Sequence, residues 1–118
     1  MVQLKFLILD SMCGKAQKEA LETVGKSLKI NLTTRLILNS KGNGKIPRDY
    51  DGYLLHLSDT SKERIIELRE AQPWCKIFGM SLANDPNLTC LDESYFITRF
   101  RDFEYMLGET ASIYQKKK

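Results

Sequence analysis

His56 is the only histidine in the chain, and its setting makes it a candidate for chemistry. It closes the apolar run Gly52-Tyr53-Leu54-Leu55-His56, with Asp51 before it and Leu57-Ser58-Asp59-Thr60 after it. An imidazole there could accept a phosphoryl group, switch charge near neutral pH or bind a metal. The plain alternative is a partly buried histidine, hydrogen-bonded in place. A lone histidine has no visible partner for a metal, so no metal site is assigned. Cys13 and His56 would be a nucleophile and its base if the fold brought them together, though spacing alone supports this weakly. The cysteines Cys13, Cys75 and Cys90 are odd in number and lack zinc or redox-pair spacing. They are expected to be reduced thiols in a cytoplasmic protein. Ser40-Lys41-Gly42-Asn43-Gly44-Lys45-Ile46-Pro47 is glycine-rich. A phosphate cradle needs wider glycine spacing and a terminal Gly-Lys-Ser/Thr, so a turn or flexible connector is the default.

These residues need elements to position them. The run at 52–56 reads as a strand buried on both faces, as at the centre of a parallel sheet. Leu4–Leu9 reads as a first strand ending at Asp10, and Ser11 as the N-cap of the helix that follows. Cys13, Ala16, Ala20, Leu21, Val24 and Leu28 give that helix an apolar face. Leu32–Leu38 reads as a second strand. Too little chain then remains before Gly52 for a full helix, and Pro47–Tyr50 has room for a single turn. Thr60-Ser61-Lys62-Glu63 has the form of a capping box. Ile65, Ile66, Leu68 and Ala71 supply an inner helical face, and Pro73 ends the helix. Trp74 reads either as a partner anchor or as an aromatic closing the core. Lys76–Met80 is a fourth strand, followed at Ser81 by a loop to Glu93. Tyr95–Thr98 is a fifth. A last helix, starting at Asp102, places Phe103, Met106, Leu107, Ala111 and Tyr114 on one face, and Gly108 within it costs about 1 kcal/mol against alanine. Strands separated by helices imply parallel pairing with right-handed crossovers. In such sheets ligands gather beyond the carboxyl ends of the strands.

The 118 residues suit one domain over 1–114, with 115–118 as a basic tail. Apolar residues make up 42% and charged residues 28%, an ordinary soluble balance. The net charge of +3 equals the contribution of Lys116, Lys117 and Lys118, so it gives no argument for nucleic acid. No apolar run is long enough to span a bilayer. The sequons at Asn31 and Asn87 are chance matches without a secretory signal.

The order of elements, the length and the strand-end residues resemble the receiver domain of two-component response regulators, over essentially the whole chain. In that family an acidic pair follows strand one, a phosphoacceptor Asp ends strand three, Ser or Thr ends strand four and Lys ends strand five. Here Leu7-Ile8-Leu9-Asp10-Ser11 keeps one acid and replaces the other. His56 stands in the acceptor position. Phe78-Gly79-Met80-Ser81 keeps the hydroxyl, and Phe96-Ile97-Thr98-Arg99-Phe100 has Arg99 for the lysine and Phe100 for the usual proline. Receiver phosphorylation needs a carboxylate nucleophile and magnesium, which prefers hard oxygen ligands. Of the three expected carboxylates only Asp10 remains, and imidazole is a poor magnesium ligand.

The resemblance therefore implies a pseudo-receiver: a flavodoxin-like three-layer fold with a central five-stranded parallel sheet, its second and fourth helices shortened or missing. It implies no enzyme activity and no cofactor. The pocket Asp10, Ser11, His56, Ser81 and Arg99 would be vestigial. The expected role is phosphorylation-independent protein–protein interaction in signal transduction or transcriptional regulation, through the last helix, with Phe103, Tyr105 and Tyr114 as its face. The partner would be a signalling or regulatory protein, a homodimer stays open, and nucleic acid would be reached only through a separate domain or partner. Asp51–Leu55 and Lys76–Ala83 are also similar to two strands of class I glutamine amidotransferases. There, however, Ser81 and Ala83 stand for the nucleophilic cysteine and the elbow glycine, and no second histidine exists. The alternative this leaves is a small flavodoxin-like enzyme or nucleotide- or ligand-binding domain using the strand ends.

Overall fold

The computed structural model describes residues 2–9, 14–37, 46–56, 62–80, 93–95 and 100–117. Strand β1 (Gln3–Leu9) leads to α1 (Gly14–Ser27), β2 (Asn31–Ile37) and β3 (Gly52–His56). Then come α2 (Lys62–Ala71), β4 (Lys76–Met80), β5 (Glu93–Tyr95) and α3 (Phe100–Lys117). The strands form one sheet in the order β2-β1-β3-β4-β5, and every pairing is parallel. The segments expected to carry short or missing helices, 38–45 and 81–92, lie outside the described residues.

Alternation along the strands builds two cores. Leu4, Phe6 and Ile8 of β1 face one side with Leu54 and Phe78, where α1 supplies Leu21 and Val24 and α3 supplies Phe103, Met106 and Leu107. Leu7 and Leu9 face the other side with Tyr53, Leu55 and Ile77, where α2 supplies Ile65 and Leu68. All five residues of β3 are buried, as its unbroken apolar run requires.

Helix faces depart from the apolar count. On α1 the buried residues are Gly14, Gln17, Leu21, Val24 and Gly25, while Ala16 and Leu28 are exposed. On α2 Ile66 and Ala71 are exposed, and Gln72 just beyond the helix is buried instead. Pro47–Tyr50 makes no helical turn. Its chain is held extended by side chains, with Asp49 in the left-handed region at φ 72°. Gln72 Oε1 accepts the Asp49 N–H at 2.6 Å, and Gln72 Nε2 donates to the Tyr50 carbonyl at 3.2 Å. The Tyr53 hydroxyl donates to the Pro47 carbonyl at 2.9 Å. Trp74 packs half-buried against this core. α3 begins at Phe100 and runs to Lys117, taking in most of the stretch set apart above as a tail.

On the surface, Lys18 Nζ lies 2.6 Å from Glu22 Oε1, which also accepts the Thr34 hydroxyl at 2.7 Å. The Lys18 bond, then that of Thr34, holds the Glu22 carboxyl below its usual range. A depressed carboxylate contributes stability above its unfolded pKa and loses it as pH falls through the folded value. Because the pair is partly exposed, that contribution is small. Glu22→Gln should cost about 0.5 kcal/mol or less at neutral pH and flatten the acid limb of the stability–pH curve, read by urea titration.

Two glycines should respond oppositely to alanine. A Cβ at Gly52 would lie 2.3 Å from Phe6 Cε2 in the packed core, so Gly52→Ala should destabilise by about 2–3 kcal/mol. Gly108 is exposed within α3 and a Cβ there meets nothing within 4 Å. Gly108→Ala should add about 1 kcal/mol and raise Tm by about 4 °C, measured by thermal and chemical denaturation.

Candidate functional site

Five parallel strands deliver their carboxyl ends to one edge of the sheet, at Leu9, Ile37, His56, Met80 and Tyr95. His56 is the last residue of the central strand. Its register partner on β4 is Met80, the residue before Ser81. Leu55 pairs with Leu9, the residue before Asp10. Because side chains alternate along a strand, His56 shares the face of Gly52 and Leu54, the face covered by α1 and α3. It is 4% exposed and is not a free side chain.

The other members of the expected pocket, Asp10, Ser11, Ser81 and Arg99, lie outside the described residues. So do Cys13, Cys90 and Asp59. Among the described residues no group of three His, Cys, Asp or Glu side chains could hold a metal. At the end of β3 the donor among the described residues is an imidazole nitrogen, which suits magnesium, the ion that receivers use, poorly. Cys75 is buried on the opposite side of the sheet from His56, in the core with α2.

The proposed interaction face on α3 divides. Phe103 is 4% exposed and packs among Leu4, Phe6, Leu54 and Phe78, so it holds α3 to the sheet and is not open to a partner. Tyr105 is 46% exposed. Tyr114 lies in α3, with its side chain outside the described set.

Reading the sequence missed the polar group at the other pole of β3. Tyr53, flanked by aliphatic residues, sits with its hydroxyl beside Gln72 Oε1 at 3.4 Å. Burial foremost pushes its phenol well above the ordinary range. The available signal was a tyrosine in an otherwise aliphatic buried strand, since a buried hydroxyl needs partners.

No protein-family model matches this chain, and no curated protein does. Solved structures do. A response regulator receiver domain protein (CheY-like) from Methanospirillum hungatei superposes with a TM-score of 0.71 over 100% of both chains at 10% identity. A receiver domain protein from Clostridium thermocellum gives 0.68 over 97% of each chain at 14% identity. The response regulator TrrA from Thermotoga maritima, in complex with Mg2+-BeF, gives 0.57 over 93% of this chain and 98% of that one, at 16% identity. The fold is therefore the receiver fold, a flavodoxin-like α/β arrangement. No helix among the described residues is long and apolar enough to cross a membrane.

The two α3 aromatics separate by experiment. Phe103→Ala should cost about 3–5 kcal/mol as a buried aromatic truncation. Tyr105→Ala should stay within about 0.5 kcal/mol of the parent in urea unfolding.

Proposed function

We propose that this chain is a pseudo-receiver: a domain spanning 1–114 that keeps the receiver scaffold and signals without phosphorylation. It acts by binding a protein partner in signal transduction or transcriptional regulation, in the cytoplasm, and it catalyses no reaction. The observation that carries this reading is the residue at the end of β3. Receivers place an aspartate there. This chain places a buried imidazole, His56.

The difference is chemical. An aspartate offers two hard oxygens, one to attack phosphorus and one to bind magnesium. An imidazole offers nitrogen in place of both oxygens and binds magnesium poorly, and Ser11 in place of the second acid removes a further oxygen anion. Asp10, Ser11, His56, Ser81 and Arg99 are then the residues of a vestigial pocket. With phosphorylation gone, recognition falls to permanently displayed surface, to which Tyr105 on α3 contributes the exposed aromatic among the described residues.

Beryllofluoride with magnesium tests this, with the TrrA receiver as the positive control. The expected result is that magnesium and beryllofluoride together leave the amide spectrum and Tm of this chain unchanged, and that His56→Asp alone does not restore a response because Ser11 still replaces the second acid. A saturable, magnesium-dependent shift in the parent chain would sink the proposal.

A further inference from the structure

The sheet ends at β2, which among the described residues pairs with β1 alone. The Asn31 N–H donates to the Val2 carbonyl at 2.9 Å, so Asn31 turns its backbone groups toward β1. Successive residues of a strand direct these groups to opposite sides. Thr33, Arg35 and Ile37 therefore also face β1, and Leu32, Thr34 and Leu36 point their N–H and C=O groups outward. Such an edge is a template for another strand. This one carries little to block pairing: no proline, and one charge, Arg35.

The pattern along β2 selects the occupant. In Asn31-Leu32-Thr33-Thr34-Arg35-Leu36-Ile37 the two leucines stand symmetrically about Thr34. A two-fold axis at Thr34 would place Leu32 opposite Leu36 of a second copy, and Thr34 opposite Thr34. Those are the residues whose backbone groups point outward, so each pair exchanges two hydrogen bonds. Leu32 and Leu36 are half-buried on the face covered by α1, and each would gain an apolar cross-strand neighbour. On the other face, exposed Thr33 meets exposed Arg35 with no like charges opposed. Sliding the axis to Arg35 sets two guanidiniums against each other. Sliding it to Thr33 opposes Leu32 to Thr34 and leaves Leu36 unpaired. The register centred on Thr34 satisfies backbone, apolar and charge requirements together.

We propose that two copies of this chain pair antiparallel through β2, centred on Thr34, to make one continuous sheet across the dimer. The contact is isologous and closes on itself, so it stops at two copies. A single strand pair is a small interface, so the dimer is a weak one. The proposal does not depend on the state of the pocket at His56.

Sedimentation equilibrium of the full chain tests it, with circular dichroism on every variant. The parent should show a monomer–dimer equilibrium. Thr34→Val removes the hydroxyl that bonds Glu22 but no backbone group, and should leave dimerisation intact. Thr34→Pro removes an outward N–H that β1 does not use and should weaken it by about tenfold or more. Thr34→Lys retains every backbone group, so it also serves if the proline variant misfolds. It sets two ammonium groups across the axis, should weaken the dimer by a similar factor, and should regain part of that loss at high salt. A parent that stays monomeric at about 1 mM would overturn the proposal. So would a dimer that Thr34→Lys leaves unchanged.

Discussion

The sheet depends on a side chain that is missing. Gly52 opens β3 at the register position of Phe6, and the Phe6 ring occupies the volume a Cβ would take. This lets Phe6 of β1 stack against Phe78 of β4, with ring centroids 6.3 Å apart and planes 13° from parallel. The two aromatics flank the central strand and meet across it. A slip of β3 by one residue would present Tyr53 to Phe6 and turn Leu54 to the wrong core, because strand side chains alternate. The aromatic pair and the glycine thus fix the register of β3. His56, four residues on, is thereby fixed to the α1 and α3 face at the carboxyl edge.

A second constraint works at the opposite pole. Ile46 is buried in the α2-side core, and Tyr50 packs against it. The chain from 46 to 51 so covers apolar surface without helical hydrogen bonds of its own. Its backbone polar groups still require partners. Gln72 supplies them for Asp49 and Tyr50, and the Tyr53 hydroxyl for Pro47. Lys5 adds its ammonium 5.3 Å above the Tyr50 ring, and Arg48 Nη2 lies 3.5 Å from Glu67 Oε1 on α2. Position 49 takes a left-handed conformation, which aspartate tolerates better than most residues.

How much of this could be read in advance follows from the kind of signal each residue carries. β3 was legible because five consecutive buried positions leave no polar alternation. β4 was legible for its apolar run after Pro73. The helix faces were legible only in part. Leu28 and Ile66 count as apolar by type, yet stand 41% and 36% exposed, and single exposed hydrophobics are ordinary. Gln72 is polar by type and buried by function, so its part appears only when Tyr53 and the 46–51 segment come together in space. Phe103 was assigned to a surface by its helix, and packing took it into the core. Of the pocket residues, His56 alone can be compared with its expected place. That place, the end of the third strand, was legible from an apolar run ending in the chain's one histidine.

The two constraints bear on what specifies this receiver fold. The Phe6–Gly52–Phe78 packing joins β1, β3 and β4, and the Gln72–Tyr53 network joins β3 to the end of α2. The interactions that set the sheet's register and close its α2 side lie in the cores and at the amino-terminal pole, away from the edge where receivers react. Substitution at Gly52, on the same strand and the same face as His56, strikes the first of these directly, because the Phe6 ring fills the volume its Cβ would take.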